Sequence, residues 1–175
     1  MSRLPEVAFL GRSNVGKSSL INSLTGTKAA RVSATPGRTQ RAHFYEVGGR
    51  AVFVDLPGYG YAKAPPRVRG TLVEIIETYL TAGRPLALAA LIVDARHAPS
   101  EQDLTMNEWL ADRGLPVRVV GNKVDKLSRS ERSASLARSR RLLGREDIIP
   151  FSSETGEGVG GLWQAIEESI LTLQD

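Results

Sequence analysis

Residues 11–18 read Gly-Arg-Ser-Asn-Val-Gly-Lys-Ser, a GxxxxGKS spacing whose chemistry is phosphate binding. The glycines let the backbone curl until successive N–H groups point inward, and a helix starting just after them adds the positive end of its dipole. Lys17 has the reach for a nucleotide's outer phosphates, and the Ser18 hydroxyl suits Mg²⁺. Gly11, Arg12, Ser13, Asn14, Val15, Gly16, Lys17, Ser18 and Ser19 are the candidate phosphate contacts of this stretch. A second group is Asp55-Leu56-Pro57-Gly58, a DxxG pattern closing an apolar run. Asp55 could hold Mg²⁺, directly or through water. Gly58 could bring its N–H to a γ-phosphate oxygen, since no side chain blocks the approach.

The third group is Asn122-Lys123-Val124-Asp125, an NKxD pattern at the end of another apolar run. A carboxylate accepts two N–H bonds from N1 and the exocyclic N2 of guanine, whereas adenine presents no such pair on that edge. Asp125 therefore favours guanine, because the wrong base leaves a desolvated carboxylate unpaired. Asn122 can help bind the base edge and tie loops together, and the Lys123 stem can pack on the base. Ser152, Ser153 and Glu154 form a looser fourth group, whose backbone N–H groups could donate to guanine O6.

Residues 27–40 show no periodicity, and a stretch that long inside a compact domain is usually functional. It offers Thr35 and Thr39 as an Mg²⁺ ligand that responds to the γ-phosphate. Thr39 is favoured because it lies nearer the next strand, with Arg38 beside it as a further phosphate contact. Residues 27–40 would then be one nucleotide-dependent switch and residues 59–67 a second, acting through Gly58. Lys17, Thr39 and Gly58 are the expected catalytic set. They act by positioning and charge stabilisation, since no residue is a convincing general base.

Strands alternating with helices must position these groups. Residues 6–10 and 51–54 are apolar strands, residues 41–47 partly alternate, and Gly48-Gly49 signals a hairpin between the last two. Residues 86–93 are nearly all apolar, as in a central parallel strand. Residues 117–120 and 148–151 supply two more strands. Helices are predicted from residue 17 to about 24, from about 68 to 82, from 100 to 113, over about 129–143 and over about 158–173. Val68, Leu72, Ile75, Ile76 and Tyr79 share one helical face. The fold class is thus α/β: one doubly wound domain over residues 1–175, six strands, mostly parallel with one antiparallel edge strand, and helices on both faces.

Composition excludes several other chemistries. The chain has no cysteine, which removes disulfide frameworks, Cys-type zinc sites and thiol catalysis, and only two histidines, which argues against a His-based metal site. Hydrophobic residues make up 41%, fitting a globular domain. No run approaches the ~20 apolar residues of a membrane span. No signal peptide is read at the start, so an intracellular, cytoplasmic protein is expected. Lys and Arg number 23 against 19 Asp and Glu, a net +4 that permits a polyanionic partner without requiring one.

Residues 5–22, Thr35-Pro36-Gly37-Arg38-Thr39-Gln40, Asp55-Leu56-Pro57-Gly58-Tyr59-Gly60-Tyr61-Ala62 and Phe151-Ser152-Ser153-Glu154-Thr155-Gly156 together resemble the EngB (YihA/YsxC-type) family of ribosome-biogenesis GTPases. The resemblance covers nearly the whole chain. The family usually has a longer leader where Met1 to Leu4 stand here. The resemblance implies a bacterial or organellar GTPase that binds GTP and GDP with Mg²⁺. It further implies action in late assembly of the large ribosomal subunit, on rRNA and ribosomal proteins, and support of cell division through ribosome supply. No membrane or DNA partner and a monomer are expected. Asn14 occupies the loop position where Era/TrmE-type relatives use an Asn to help hold K⁺, the alternative being an ordinary polar loop residue. Tyr59 stands where many signalling GTPases carry a water-orienting Gln, so slow intrinsic hydrolysis is expected.

Arg129, Arg132, Arg138, Arg140, Arg141 and Arg145 crowd one helix and its end, either as a solvated face or as a contact with rRNA phosphates. Arg38, Arg41, Arg67 and Arg69 flank the switches, and Tyr59 and Tyr61 could stack on bases or simply pack. Two other functional readings stay open. One is a phosphotransferase using the same loop, and the other is a module that holds GTP without hydrolysing it.

Overall fold

The first strand, β1 (Glu6–Gly11), alternates its side chains between two cores. Val7 and Phe9 face one of them, Ala8 and Leu10 the other. That is possible only for a strand covered on both sides, and it explains the continuous apolar run. The computed structural model describes residues 4–27, 41–60 and 65–174.

From β1 the chain runs through α1 (Lys17–Thr25), the hairpin β2 (His43–Val47) and β3 (Ala51–Asp55), then α2 (Pro66–Thr81) and β4 (Leu86–Asp94). It continues through α3 (Glu101–Asp112), β5 (Val117–Asn122), a single 3-10 turn at Val124–Lys126, α4 (Arg129–Leu143), β6 (Ile149–Pro150) and α5 (Val159–Gln174). The sheet order is β2-β3-β1-β4-β5-β6. Among the described residues only the β2–β3 pair is antiparallel. The expected six-stranded, doubly wound sheet is therefore present.

Each boundary has a local cause. Gly48 and Gly49 take φ of 58° and 64°, and the Arg50 N–H donates to the Val47 carbonyl at 3.1 Å, giving the mirror-image turn that matches strand twist. Helices α3 and α4 open with reciprocal capping boxes, Ser100 with Asp103 and Ser128 with Glu131.

One core holds Ile76, Tyr79, Leu110, Leu136 and Leu143, so α2, α3 and α4 cover that face. The other holds Leu20, Ile21, Leu24, Leu162 and Ile166, from α1 and α5. Trp163 of α5 sits 5.5 Å from Phe53 and donates its indole N–H to the Leu24 carbonyl. At the amino end of β1, away from the loops, Glu6 is fully buried. It accepts two bonds from Arg84 and one from the Tyr79 hydroxyl, while the Arg84 guanidinium lies over the Phe44 and Tyr79 rings. Burial pushes the Glu6 carboxyl up, but Arg84 and Tyr79 outweigh it and hold it below its ordinary value. Among the described residues no helix is long and apolar enough to cross a membrane.

Candidate nucleotide-binding site

The carboxyl ends of β1, β3, β4 and β5 meet on one edge of the sheet, where open α/β folds bind ligands. The loop between β1 and α1 begins there. Asn14 and Gly16 both take left-handed conformations, φ 67° and 92°, which turn the loop back on itself. A Cβ on Gly16 would lie 2.5 Å from the Asn122 amide nitrogen, and one on Gly11 would lie 2.7 Å from Val15 and 2.9 Å from the Ile92 carbonyl. Both glycines are thus demanded by close approach, Gly11 to β4 and Gly16 to the end of β5. Ser18 and Ser19 lie in the first turn of α1, half-buried.

The end of β5 is fastened to this loop. The Asn122 amide donates to the Val15 carbonyl at 2.9 Å, and the Lys123 ammonium donates to the Asn14 carbonyl at 2.8 Å. Lys123 is itself left-handed, φ 68°. Asn122 therefore ties the loops together as its position suggested. Asp125 accepts from the Ser152 hydroxyl at 2.7 Å. Ser152, then Lys126, hold the Asp125 carboxyl below its ordinary value, so it is an acceptor at neutral pH.

The Ser152 hydroxyl also accepts from the N–H groups of Glu154 and Thr155, both at 3.2 Å. This narrows the fourth group. Glu154's N–H is spoken for. The Ser153 hydroxyl and the side-chain amide oxygen of Asn122 are buried without a partner among the described residues.

Lys17 and Asp55 are both buried and form a direct ion pair. The lysine expected on phosphates and the carboxylate expected on Mg²⁺ thus neutralise each other in this structure. Gly58 lies against the phosphate loop, where an added Cβ would come within 3.0 Å of the Ser13 backbone. Arg12 enters the loop through its main chain, its carbonyl accepting from the Val15 N–H at 3.2 Å. Its side chain lies beside Gly60 and Gln102. Thr35, Arg38, Thr39 and Tyr61 lie outside the described residues, as do 28–40 of the first expected switch and 61–64 of the second.

Tyr59 corrects the stacking alternative. It is 5% exposed, and its hydroxyl donates to Asp103 at 2.8 Å. Burial first, and then Asp103, push that hydroxyl's pKa well up, so it remains a donor. Among the arginines of α4 and its end, Arg132 pairs with Glu157, Arg140 donates to the Glu146 carbonyl and Arg145, past the Gly144 cap, to Asn107. Those three hold the fold together, while Arg129 and Arg141 are exposed.

Asp94, at the end of β4, was not singled out from sequence. It pairs with Lys123 at 3.1 Å and Arg96 at 2.8 Å. Burial pushes its carboxyl up, but Arg96 and Lys123 outweigh that and bring it down to about 2. Its signal was available, since it is the lone charge closing an apolar strand, level with Asn122 in the sheet.

Oxygen donors at Ser18 and Asp55 are what a hard cation such as Mg²⁺ takes, with phosphates and waters completing its shell. Among the described residues no cluster of three or more acidic, His or Cys groups could hold a metal without such help. The site as a whole is that of a P-loop GTPase. Residues 6–123 match the family model described as 50S ribosome-binding GTPase.

The chain belongs to the EngB family of GTP-binding proteins. It is 46% identical over 169 residues to a probable GTP-binding protein EngB of Lacticaseibacillus casei, covering 94% of this chain and 85% of that relative. It is 49% identical over 169 residues to one of Solibacter usitatus, covering 96% and 87%. The crystal structure of a probable GTP-binding protein engB superposes with a TM-score of 0.83 at 26% identity, covering 95% of this chain and 99% of that one. Family membership makes the protein a GTPase.

Proposed function

We propose that the protein is a GTP-dependent switch that acts on the large ribosomal subunit or its precursor, with slow hydrolysis until a partner engages it. The observation that carries the nucleotide part is the double fastening of the base-recognition strand to the phosphate loop, Asn122 to Val15 and Lys123 to Asn14. It fixes Asp125 and Lys17 in one frame, so base and phosphates are read together. The family description, 50S ribosome-binding GTPase, supports the large subunit as partner.

Binding exchanges partners inside the site. Lys17 leaves Asp55 for the β- and γ-phosphates, and Asp55 with Ser18 would hold Mg²⁺, which would supply neutralisation of phosphate charge. Thr39 would be the further Mg²⁺ ligand that responds to the γ-phosphate, and the Gly58 N–H donates to one of that phosphate's oxygens. Water then attacks the γ-phosphorus, the bond to the β–γ bridging oxygen breaks, and GDP and phosphate leave. Tyr59 supplies no amide to orient that water, and its hydroxyl is committed to Asp103. This favours a low unassisted rate. The exposed Asn14 side chain is the K⁺ candidate, and equal GTPase rates in KCl and NaCl would remove it.

Arg129 and Arg141 are the α4 residues assigned to rRNA phosphates. Sedimentation with 50S subunits tests this. The wild type should pellet with a non-hydrolysable GTP analogue bound and less so with GDP, and Arg129→Glu with Arg141→Glu should weaken the salt-sensitive part. Equal pelleting in both nucleotide states would remove the switch reading. Support of cell division would follow indirectly, through ribosome supply.

A further inference from the structure

Beyond Asp55 the chain does not leave the phosphate loop at once. The Leu56 N–H donates to the Phe9 carbonyl, the Tyr59 N–H to the Gly11 carbonyl at 3.2 Å, and the Ser13 N–H to the Tyr59 carbonyl at 3.0 Å. Tyr59 thereby pairs with Arg12 as a short parallel bridge, and Gly58 is pressed on Ser13. The Tyr59 ring lies in the core with Ile76, and its hydroxyl ends on Asp103, which is itself 4% exposed.

Asp103 is not free to follow a moving partner. Its Oδ2 accepts from the Ser100 N–H at 2.9 Å and the Ser100 hydroxyl at 2.8 Å, in the capping box that opens α3. Its Oδ1 takes Tyr59. Immediately afterwards Gly60 turns away at φ 73°, where an added Cβ would meet Arg12 at 3.1 Å. Residue 59 is thus held at three points, two on the phosphate loop and one on a helix end, directly before a turn that needs glycine.

We propose that Tyr59 and Asp103 are positioning residues that hold Gly58 at the phosphate loop, so that the pair sets the protein's preference for GTP over GDP. A donor fixed in advance loses little on meeting its acceptor, so its bond shows nearly in full as affinity. GDP offers Gly58 nothing, so the same mount leaves GDP binding untouched. The inference rests on the reading that the Gly58 N–H meets the γ-phosphate. It adds that Gly58 is placed there by a phenol–carboxylate bond to α3 and not by the nucleotide alone.

The test is the ratio of dissociation constants for GDP and a β,γ-imido GTP analogue, measured with Mg²⁺ on full-length protein. Tyr59→Phe keeps the ring in its core and removes only the hydroxyl. It should weaken the analogue about tenfold, the scale of one hydrogen bond to a charged group, with GDP unchanged. Arg84→Met, at the far end of β1, breaks bonds to Glu6 and touches neither Tyr59 nor Asp103. It should lower the melting temperature and leave the ratio near wild type, which separates positioning from general destabilisation. Unchanged affinities in Tyr59→Phe, or an equal loss for both nucleotides, would overturn the assignment. Gly58→Ala tells the two levels apart. If it too leaves the ratio unchanged, the placement of Gly58 at the γ-phosphate is wrong. If it collapses the ratio while Tyr59→Phe does not, only the Tyr59–Asp103 assignment falls.

Discussion

The side-chain amide of Asn122 donates to the main-chain carbonyl of Val15 at 2.9 Å, so the end of β5 that carries the NKxD pattern is bonded to the loop that carries GxxxxGKS. The bond spans 107 residues of sequence and crosses from β5 to β1 over the intervening β4. The proposed sites for guanine and for phosphate therefore share one frame, built at the carboxyl edge of the sheet.

Asp125 is the acceptor we propose for base selection in that geometry. Asp125→Asn should weaken GTP by about 100-fold, since it removes two bonds to a charged group worth ~1.5 kcal/mol or more each. Xanthosine triphosphate, whose base edge matches an amide, should gain. Competition binding with the two nucleotides checks this, and undiminished GTP binding would mean the base lies elsewhere.

Gly16 is required twice over, by its φ of 92° and by the Asn122 amide 2.5 Å from any added Cβ. Gly16→Ala should cost ~1–3 kcal/mol of stability and abolish measurable nucleotide binding, because the strap from Asn122 must move. Gly26, at φ 64° with open space around it, is the control. Gly26→Ala should cost less and keep nucleotide binding.

Much of this was legible in the sequence. GxxxxGKS, DxxG and NKxD fall where apolar runs end, and a run's end is where a parallel strand delivers its side chains. Helix α4 lies where it was expected, over about 129–143, and the structure shows Ser128 capping its start and Gly144 its end. What could not be read were partnerships between distant elements. Tyr59 looked like a switch aromatic, and only the packing of α3 shows it buried on Asp103. Arg140 looked like one more surface arginine until α4 and the segment after it placed the Glu146 carbonyl within 3.0 Å. Lys17 and Asp55 each carried a ligand-binding role in sequence, and their mutual pairing needs the register of β1 beside β3.

Asp94 gives the site a signature at acid pH. Its carboxyl titrates at about 2 in the folded protein against an ordinary 3.8. A depressed folded value stabilises the protein above about pH 4, and the contribution is lost as pH falls through about 2. Its size is roughly 1 kcal/mol once solvent around the exposed Arg96 is allowed for. Denaturation of wild type and Asp94→Asn should differ by that amount at pH 5, and the gap should close towards pH 2. A gap independent of pH would show that Asp94 acts through packing alone.

Glu6, Tyr79 and Arg84 form a stability device remote from the nucleotide. Arg84→Met leaves Glu6 buried without its cation, a change that costs 3–5 kcal/mol for fully buried pairs. With Arg84 partly exposed, about 2–4 kcal/mol is expected. The loss should appear in denaturant unfolding while GTP and GDP affinities stay within about twofold, because the cluster lies at the amino end of β1 and the site at its carboxyl end. A matching loss of nucleotide affinity would mean that the two ends of the strand are coupled.

A single-turnover GTPase measurement on the wild-type protein, alone, with 30S subunits and with 50S subunits, bears on the whole proposal at once. Hydrolysis by the isolated protein should run far below the ~10 s⁻¹ of a typical enzyme, stay low with 30S subunits and accelerate with 50S subunits. Turnover at or above ~10 s⁻¹ without ribosomes, or one rate in all three conditions, would contradict a ribosome-triggered switch.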